Sequence, residues 1–309
     1  MDSLIYSLNA TLPVFLVIVV GYVLKQIGIL NNGFVKTANK FNFVVTLPVL
    51  LFVDLSTTDI IGDFDITYVL YCAFVTTVAF FGLWIAAKFL IKDKKIVGEF
   101  VQAGYRSSAA ILGVAFIQNI YGDSGMAPVM IIGCVPLFNI FAVLVLTFDG
   151  EKDIINSLIN IVKNPIIIGI VLGVAASLLK IDFPEIIDKT LASLAKMASP
   201  LALITIGAGF EGRKAIAKIK PTIAATMIKL VVLPAVFLPI AIKLGFRDQA
   251  LVALIIMLGS PTTPSSYIMA KNMGHEGVLT SSVVVATTLM SSLCLTFWIF
   301  VARYFGYII

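Results

Sequence analysis

The stretch Tyr121-Gly122-Asp123-Ser124-Gly125 returns as Met273-Gly274-His275-Glu276-Gly277, 152 residues further on. The same offset carries Pro13 onto Pro165, Gly21 onto Gly173 and Pro48 onto Pro200. A constant register over such a distance marks two copies of one unit. The chain is also extremely apolar: 60% of its 309 residues are hydrophobic and 13% charged, with a mean hydropathy of +1.05. Ordinary soluble domains carry about a quarter charged residues. A soluble core of this size could not hide that much apolar surface, so the solvent is lipid. Paired repeats in a lipid-soluble chain are the build of secondary transporters.

A helix needs about 20 apolar residues to cross the hydrocarbon core. Runs of that kind lie near 5–26, 34–56, 67–91, 98–120 and 126–148, and a second set near 164–180, 186–210, 219–243, 248–270 and 277–304. The expected fold is therefore an all-α polytopic membrane protein. It has ten transmembrane helices in two five-helix repeats, residues 1–148 and 164–309. Residues 149–163 form a cytoplasmic connector, whose Ile154, Leu158 and Ile161 share one helical face that suits the membrane surface as well as a plain linker. Five is odd, so the second repeat enters the membrane in the opposite sense and the repeats are inverted.

The net charge of +5 would suggest nucleic acid in a soluble protein. Here the basic residues lie in short loops, where they report orientation. With the N-terminus outside, about fourteen Lys and Arg fall on the cytoplasmic side, including Lys92 to Lys95 and Arg213 to Lys220, against about five outside. The acidic loop with Asp54, Asp59, Asp63 and Asp65, which contains no basic residue, is then external, as are both termini, in a cell membrane. Asp2 precedes the first run with no basic residue, so that run lacks the positive flank of a signal peptide and stays as a span. Cys72, Cys134 and Cys294 have no metal-ligand spacing and read as core fillers. No cofactor or metal is expected. The expected partners are the bilayer and a small anion, and a homodimer is compatible with this plan.

Proline inside a helix removes a hydrogen bond and clashes with the preceding turn. In lipid such a break survives only where protein or a watery cavity receives it. The ninth span is the most interrupted, reading Gly259-Ser260-Pro261-Thr262-Thr263-Pro264-Ser265-Ser266. Its repeat partner, the fourth span, carries small and polar residues at the matching place, Arg106-Ser107-Ser108 through Gly113. Broken helices at corresponding places in two halves point to a transport site, because half-helix N-termini attract anions. Close packing of small residues is the plainer alternative. Candidate substrate-binding residues are Ser108, Gly113, Pro261, Thr262 and Thr263, with Asn139 donating from its amide.

Only Arg106, Lys196 and Lys229 lie well inside spans, and a charge at depth costs at least a few kcal/mol. No Asp or Glu occupies mid-span; Asp54 and Glu99 sit at ends, so a buried proton carrier is not expected. Buried cations without buried anions suit an anionic substrate, and Lys229, the deepest, joins the candidate site. Snorkelling is the competing reading for Lys196 and Arg106; for Lys229 it is the capping of carbonyls freed by Pro234. No catalytic constellation stands in a span, and His275 falls in a loop, so an enzyme is not expected.

The motifs resemble the auxin efflux carrier family, which includes bacterial malonate permeases and plant auxin carriers. Asn39-Lys40-Phe41 with Leu47-Pro48-Val49-Leu50-Leu51 is similar to a second-span pattern of that family. Lys229 five residues before Pro234-Ala235, Pro261 at the crossover and Ala270-Lys271 after it match later patterns. The family usually carries Asn where Ser108 stands. The resemblance implies crossed fourth and ninth helices and an elevator-like transporter of small organic anions such as mono- or dicarboxylates. A sodium-coupled carrier resembling the bile-acid transporter group is the alternative.

Overall fold

The computed structural model describes residues 2–57, 65–109, 117, 121, 125–148, 159 and 161–308, with side chains from residue 12 onward. The described residues are helical, with no strand among them. In chain order the helices are α1 (Asp2–Gln26), α2 (Asn32–Ser56), α3 (Ile66–Leu90), α4 (Val97–Tyr105), α5 (Ala127–Phe148) and α6 (Pro165–Leu178). They continue as α7 (Glu185–Ala208), α8 (Gly212–Ala217), α9 (Ile219–Lys243), α10 (Asp248–Gly259), α11 (Ser265–Asn272) and α12 (Val278–Tyr304). Among the described residues six of these, α2, α3, α5, α7, α9 and α12, are long and apolar enough to cross a membrane, and shorter apolar helices accompany them. The protein is a multi-pass membrane protein.

Its surface is built for lipid. Along α3, Leu70, Phe74, Phe81, Ile85 and Phe89 recur at helical spacing and point outward, Phe89 being 84% exposed. The opposite face of α3 buries Tyr68, Cys72, Val75, Thr76 and Phe80. Apolar residues therefore cover both faces, and the hydrogen-bonding groups turn inward. The Tyr68 hydroxyl donates to the Ala250 carbonyl at 2.9 Å and the Tyr71 hydroxyl to that of Phe237 at 2.5 Å, which ties α3 to α10 and α9.

Glycines set the closest helix contacts. A Cβ on Gly21 of α1 would lie 2.3 Å from the Ile204 carbonyl oxygen of α7. A Cβ on Gly173 of α6 would lie 2.9 Å from the Phe52 carbonyl oxygen of α2. These are one and the same residue pair moved by 152 positions, from 21 to 173 and from 204 back to 52. Only glycine lets backbones approach this far, and close approach is what holds helices together where no hydrophobic force separates side chain from solvent. The turn glycines show a similar match: Gly125 and Gly277 both stand at positive φ, +44° and +71°, a conformation that costs other residues dearly.

Two spans change pitch before a proline. The stretch Asn42–Thr46 in α2 is a π-turn two residues ahead of Pro48, and Ile228–Val232 in α9 is another, two residues ahead of Pro234. A proline withholds its N–H and crowds the turn before it, and a wider turn there accommodates both effects. Asn42, in the first π-turn, donates to the Ala198 carbonyl of α7 at 2.8 Å.

The ninth expected span is two helices, α10 and α11, separated by Ser260–Pro264. The fourth begins as α4 and stops at Tyr105, after which Arg106 is extended (φ −69°, ψ 151°). Gly113 lies outside the described residues, as do Asp59 and Asp63 of the acidic loop and Ile154 and Leu158 of the connector.

Candidate functional site

The two breaks meet. The Ser108 backbone N–H donates to the Pro261 carbonyl at 3.0 Å, and the Ser107 and Ser260 hydroxyls are hydrogen-bonded to each other. Thr262, fully buried, donates its hydroxyl to the Ala103 carbonyl at 2.7 Å, while its N–H donates to the Thr287 hydroxyl of α12 at 3.1 Å. Gln102 of α4 donates to the Ser266 carbonyl at 3.1 Å. Backbone groups freed in one broken span are thus satisfied by the other, which is how irregular backbone is tolerated at membrane depth.

Pro261 has a cost of its own. It has no N–H to offer the carbonyl four residues back, that of Met257, and the N–H of Thr262 has turned to Thr287 and away from Leu258. Lys229 fills the gap: its ammonium, wholly buried, donates to the Met257 carbonyl at 3.1 Å and the Leu258 carbonyl at 2.6 Å. The cation sits on the negative end of α10, where the helix dipole favours it. The carbonyls it caps belong to the ninth span and not to its own helix at Pro234.

Beside the crossing is a cavity of about 60 Å³, lined by α2, α5, α7 and both breaks. A water needs about 10–15 Å³ by this measure, so the space suits a few waters or a small carboxylate. Its polar lining includes Asp54, Arg106, Ser108, Asn139, Thr263 and Ser265. Two larger hollows, about 560 and 340 Å³, lie away from the crossing and are mostly apolar.

Arg106 dominates this cavity. It is 1% exposed and does not snorkel. One terminal nitrogen donates to the Asn139 side-chain oxygen at 2.8 Å and the Ser265 hydroxyl at 2.9 Å. The other contacts the Gln102 side-chain oxygen at 3.5 Å and the Met269 sulfur at 2.9 Å. Among the described residues all four partners are neutral, and Nε has none. A buried guanidinium held only by dipoles is a strong anion receptor, because its desolvation cost is already met by folding and its charge is not yet matched.

Of the expected site residues, Ser108, Asn139 and Thr263 line the cavity together. Pro261 and Thr262 form the crossing behind it. Lys229 stands further back, on the end of α10. Asn139 donates from its amide nitrogen to the Val135 carbonyl at 2.9 Å, and its oxygen receives Arg106. Lys196 is exposed, as a snorkelling side chain should be. Lining residues not singled out as site residues include Arg106, Asp54 and Ser265. Glu99, at the start of α4, is buried elsewhere and accepts from the Gly277 N–H at 2.9 Å and from the Thr280 N–H and hydroxyl, each at 3.0 Å.

A multi-pass helical bundle with two interlocked helix breaks around a buried, charged cavity is the architecture of a membrane transporter. Residues 6–299 match the family model described as membrane transport protein, and the chain belongs to that family, the auxin efflux carriers. It is a transporter and not an enzyme. It is 24% identical over 308 residues to a "putative malonate transporter" of Rhizobium meliloti, covering 94% of each chain. It is 23% identical over 299 residues to an uncharacterized transporter of Methanothermobacter thermautotrophicus, covering 94% of this chain and 97% of the relative. It is 21% identical over 314 residues to the uncharacterized transporter YfdV of Escherichia coli, covering 97% and 99%.

Proposed function

We propose that this protein is a secondary transporter of small organic anions, mono- or dicarboxylates, in the cell membrane. The observation that carries the reading is Arg106: a wholly buried cation, hydrogen-bonded among the described residues to neutral groups alone, in a cavity at the crossing of two broken spans. A carboxylate entering there takes the bidentate face of the guanidinium, with Ser108 and Thr263 donating beside it. Asn139 orients the guanidinium, and Pro261 and Thr262 hold the crossing. Lys229 fixes the end of α10 and adds positive potential from behind. The relative named for malonate supports a dicarboxylate as the first probe.

The ten-helix plan of two inverted repeats, 1–148 and 164–309 around the connector 149–163, belongs to the same reading, as do external termini. The paired contacts Gly21–Ile204 and Gly173–Phe52 support it. The bonds between the breaks support joint movement of the crossing past α1, α2, α6 and α7, in the manner of an elevator.

Uptake of labelled malonate and succinate by purified protein in liposomes tests the function. Arg106→Gln should lower uptake at least a hundredfold, since it removes a charge-assisted pair of hydrogen bonds worth about 3 kcal/mol. Arg106→Lys should recover part of it. Full uptake by Arg106→Gln would remove the guanidinium from the substrate's path.

A further inference from the structure

Asp54 is the second ionisable side chain on the wall of the cavity that holds Arg106. It stands in the last turn of α2, which runs on to Ser56, so it lies on the helix and not in the acidic loop beyond. The negative end of a helix is an unfavourable place for a carboxylate. With Asp54 ionised, the cavity carries one positive and one negative charge. An entering anion then meets no net attraction and one like charge. With a proton on Asp54, the wall keeps Arg106 alone and gains a hydroxyl donor. Anion and proton therefore favour each other's binding.

Resting on the carboxylate-transport reading, we propose that Asp54 is the proton-binding group of this transporter, and that each anion is carried together with a proton held on the Asp54 carboxyl. The proton is taken up on the side where the anion enters and released where it leaves, so charge and mass balance across the cycle. The surroundings leave this role to Asp54. From α7 the cavity receives Ala198, Ser199 and Ala202, and from α5 Val135, Phe138 and Asn139. The helix α6 has no ionisable residue, and the ionisable residues of α7, namely Glu185, Asp188, Lys189 and Lys196, are all exposed. In the α6–α7 loop, where Phe183 packs edge-on against Phe52, Lys180 and Asp182 are exposed as well. Lys271 lies near the far end of α11, outside the cavity lining. Among the described residues, Arg106 is the charge that lines the cavity with Asp54.

The test is malonate binding to the purified full-length protein between about pH 7 and about pH 8.5, a range in which carboxylates of the ligand are already ionised. For the wild type the dissociation constant should rise by up to about tenfold per pH unit, the limit for one linked proton. Asp54→Asn, a fixed imitation of the protonated form, should bind within about threefold of the wild type at the low end of the range and stay flat across it. Asp54→Glu should keep the slope, and thermal unfolding of the same samples identifies a variant that has not folded. In liposomes an inward acid gradient should drive malonate accumulation by the wild type and by Asp54→Glu but not by Asp54→Asn, which should still exchange malonate. A slope retained in Asp54→Asn, or absent from the wild type, overturns the proposal and leaves the carboxylate reading standing. A wild type that binds no carboxylate at any pH overturns both.

Discussion

Lys229 shows how far one side chain's role is set by its neighbours in space. It is buried in α9 and its task is on α10, where Pro261 leaves the Met257 carbonyl without a donor. Replacing it by Met should leave two carbonyls and a helix end unsatisfied in a water-free interior, at a cost of about 3 kcal/mol. Thermal unfolding of Lys229→Met should show that loss, while malonate affinity should fall far less than in Arg106→Gln. Lost affinity with unchanged stability would instead put Lys229 on the ligand. Sequence reading found this lysine because depth alone makes a cation expensive. It could not find the partner carbonyls, which lie 28 and 29 residues away along the chain. The same limit hid Arg106: whether a long side chain reaches for the interface or turns inward depends on what stands beside it, here Asn139, Ser265 and Met269. Asp54 was hidden differently: it reads as the acidic end of a span, and only the placement of α2 beside α5 and α7 puts it on the cavity wall.

At the level of the element, the broken ninth span was legible because Pro261, Pro264 and the small residues between them cannot continue a helix. The π-turns of α2 and α9 were not, since a span of this length reads as apolar with or without a change of pitch. The start of α12 is another case. Its first residues follow Gly277 at positive φ, and no local side chain caps them. The cap is Glu99, brought from α4 to accept two backbone N–H groups and the Thr280 hydroxyl. Anions at a helix N-terminus are stabilised by the free N–H groups and by the dipole. Glu99→Ala should therefore lower stability by about 2 kcal/mol, and Glu99→Gln by less, because the amide oxygen still accepts. Unfolding in detergent would reveal the order, and equal stability of all three proteins would mean that α12 starts without help from α4.

For the whole molecule, the 152-residue offset seen between sequence landmarks recurs between two glycine contacts. Gly21 meets Ile204 as Gly173 meets Phe52, a relation that a two-fold axis would produce. The expected orientation rests on loop charge alone. Asp182, on the α6–α7 connection, and Lys94, after α3, give the contrast needed. On whole cells, cysteine at position 182 should react with an impermeant thiol reagent and cysteine at position 94 should not. The reverse pattern would turn the protein over in the membrane.

The cap that Lys229 places on α10 also has an evolutionary consequence. The lysine is needed because position 261 is an imino acid, and that residue is there because the chain must turn aside at the crossing. Were Pro261 to mutate to a residue bearing an N–H, the Met257 carbonyl could regain a partner in its own helix and much of the selection on Lys229 would lapse. The two positions form a couple: lineages should keep both or lose both, and a descendant with the lysine alone would carry a stranded charge.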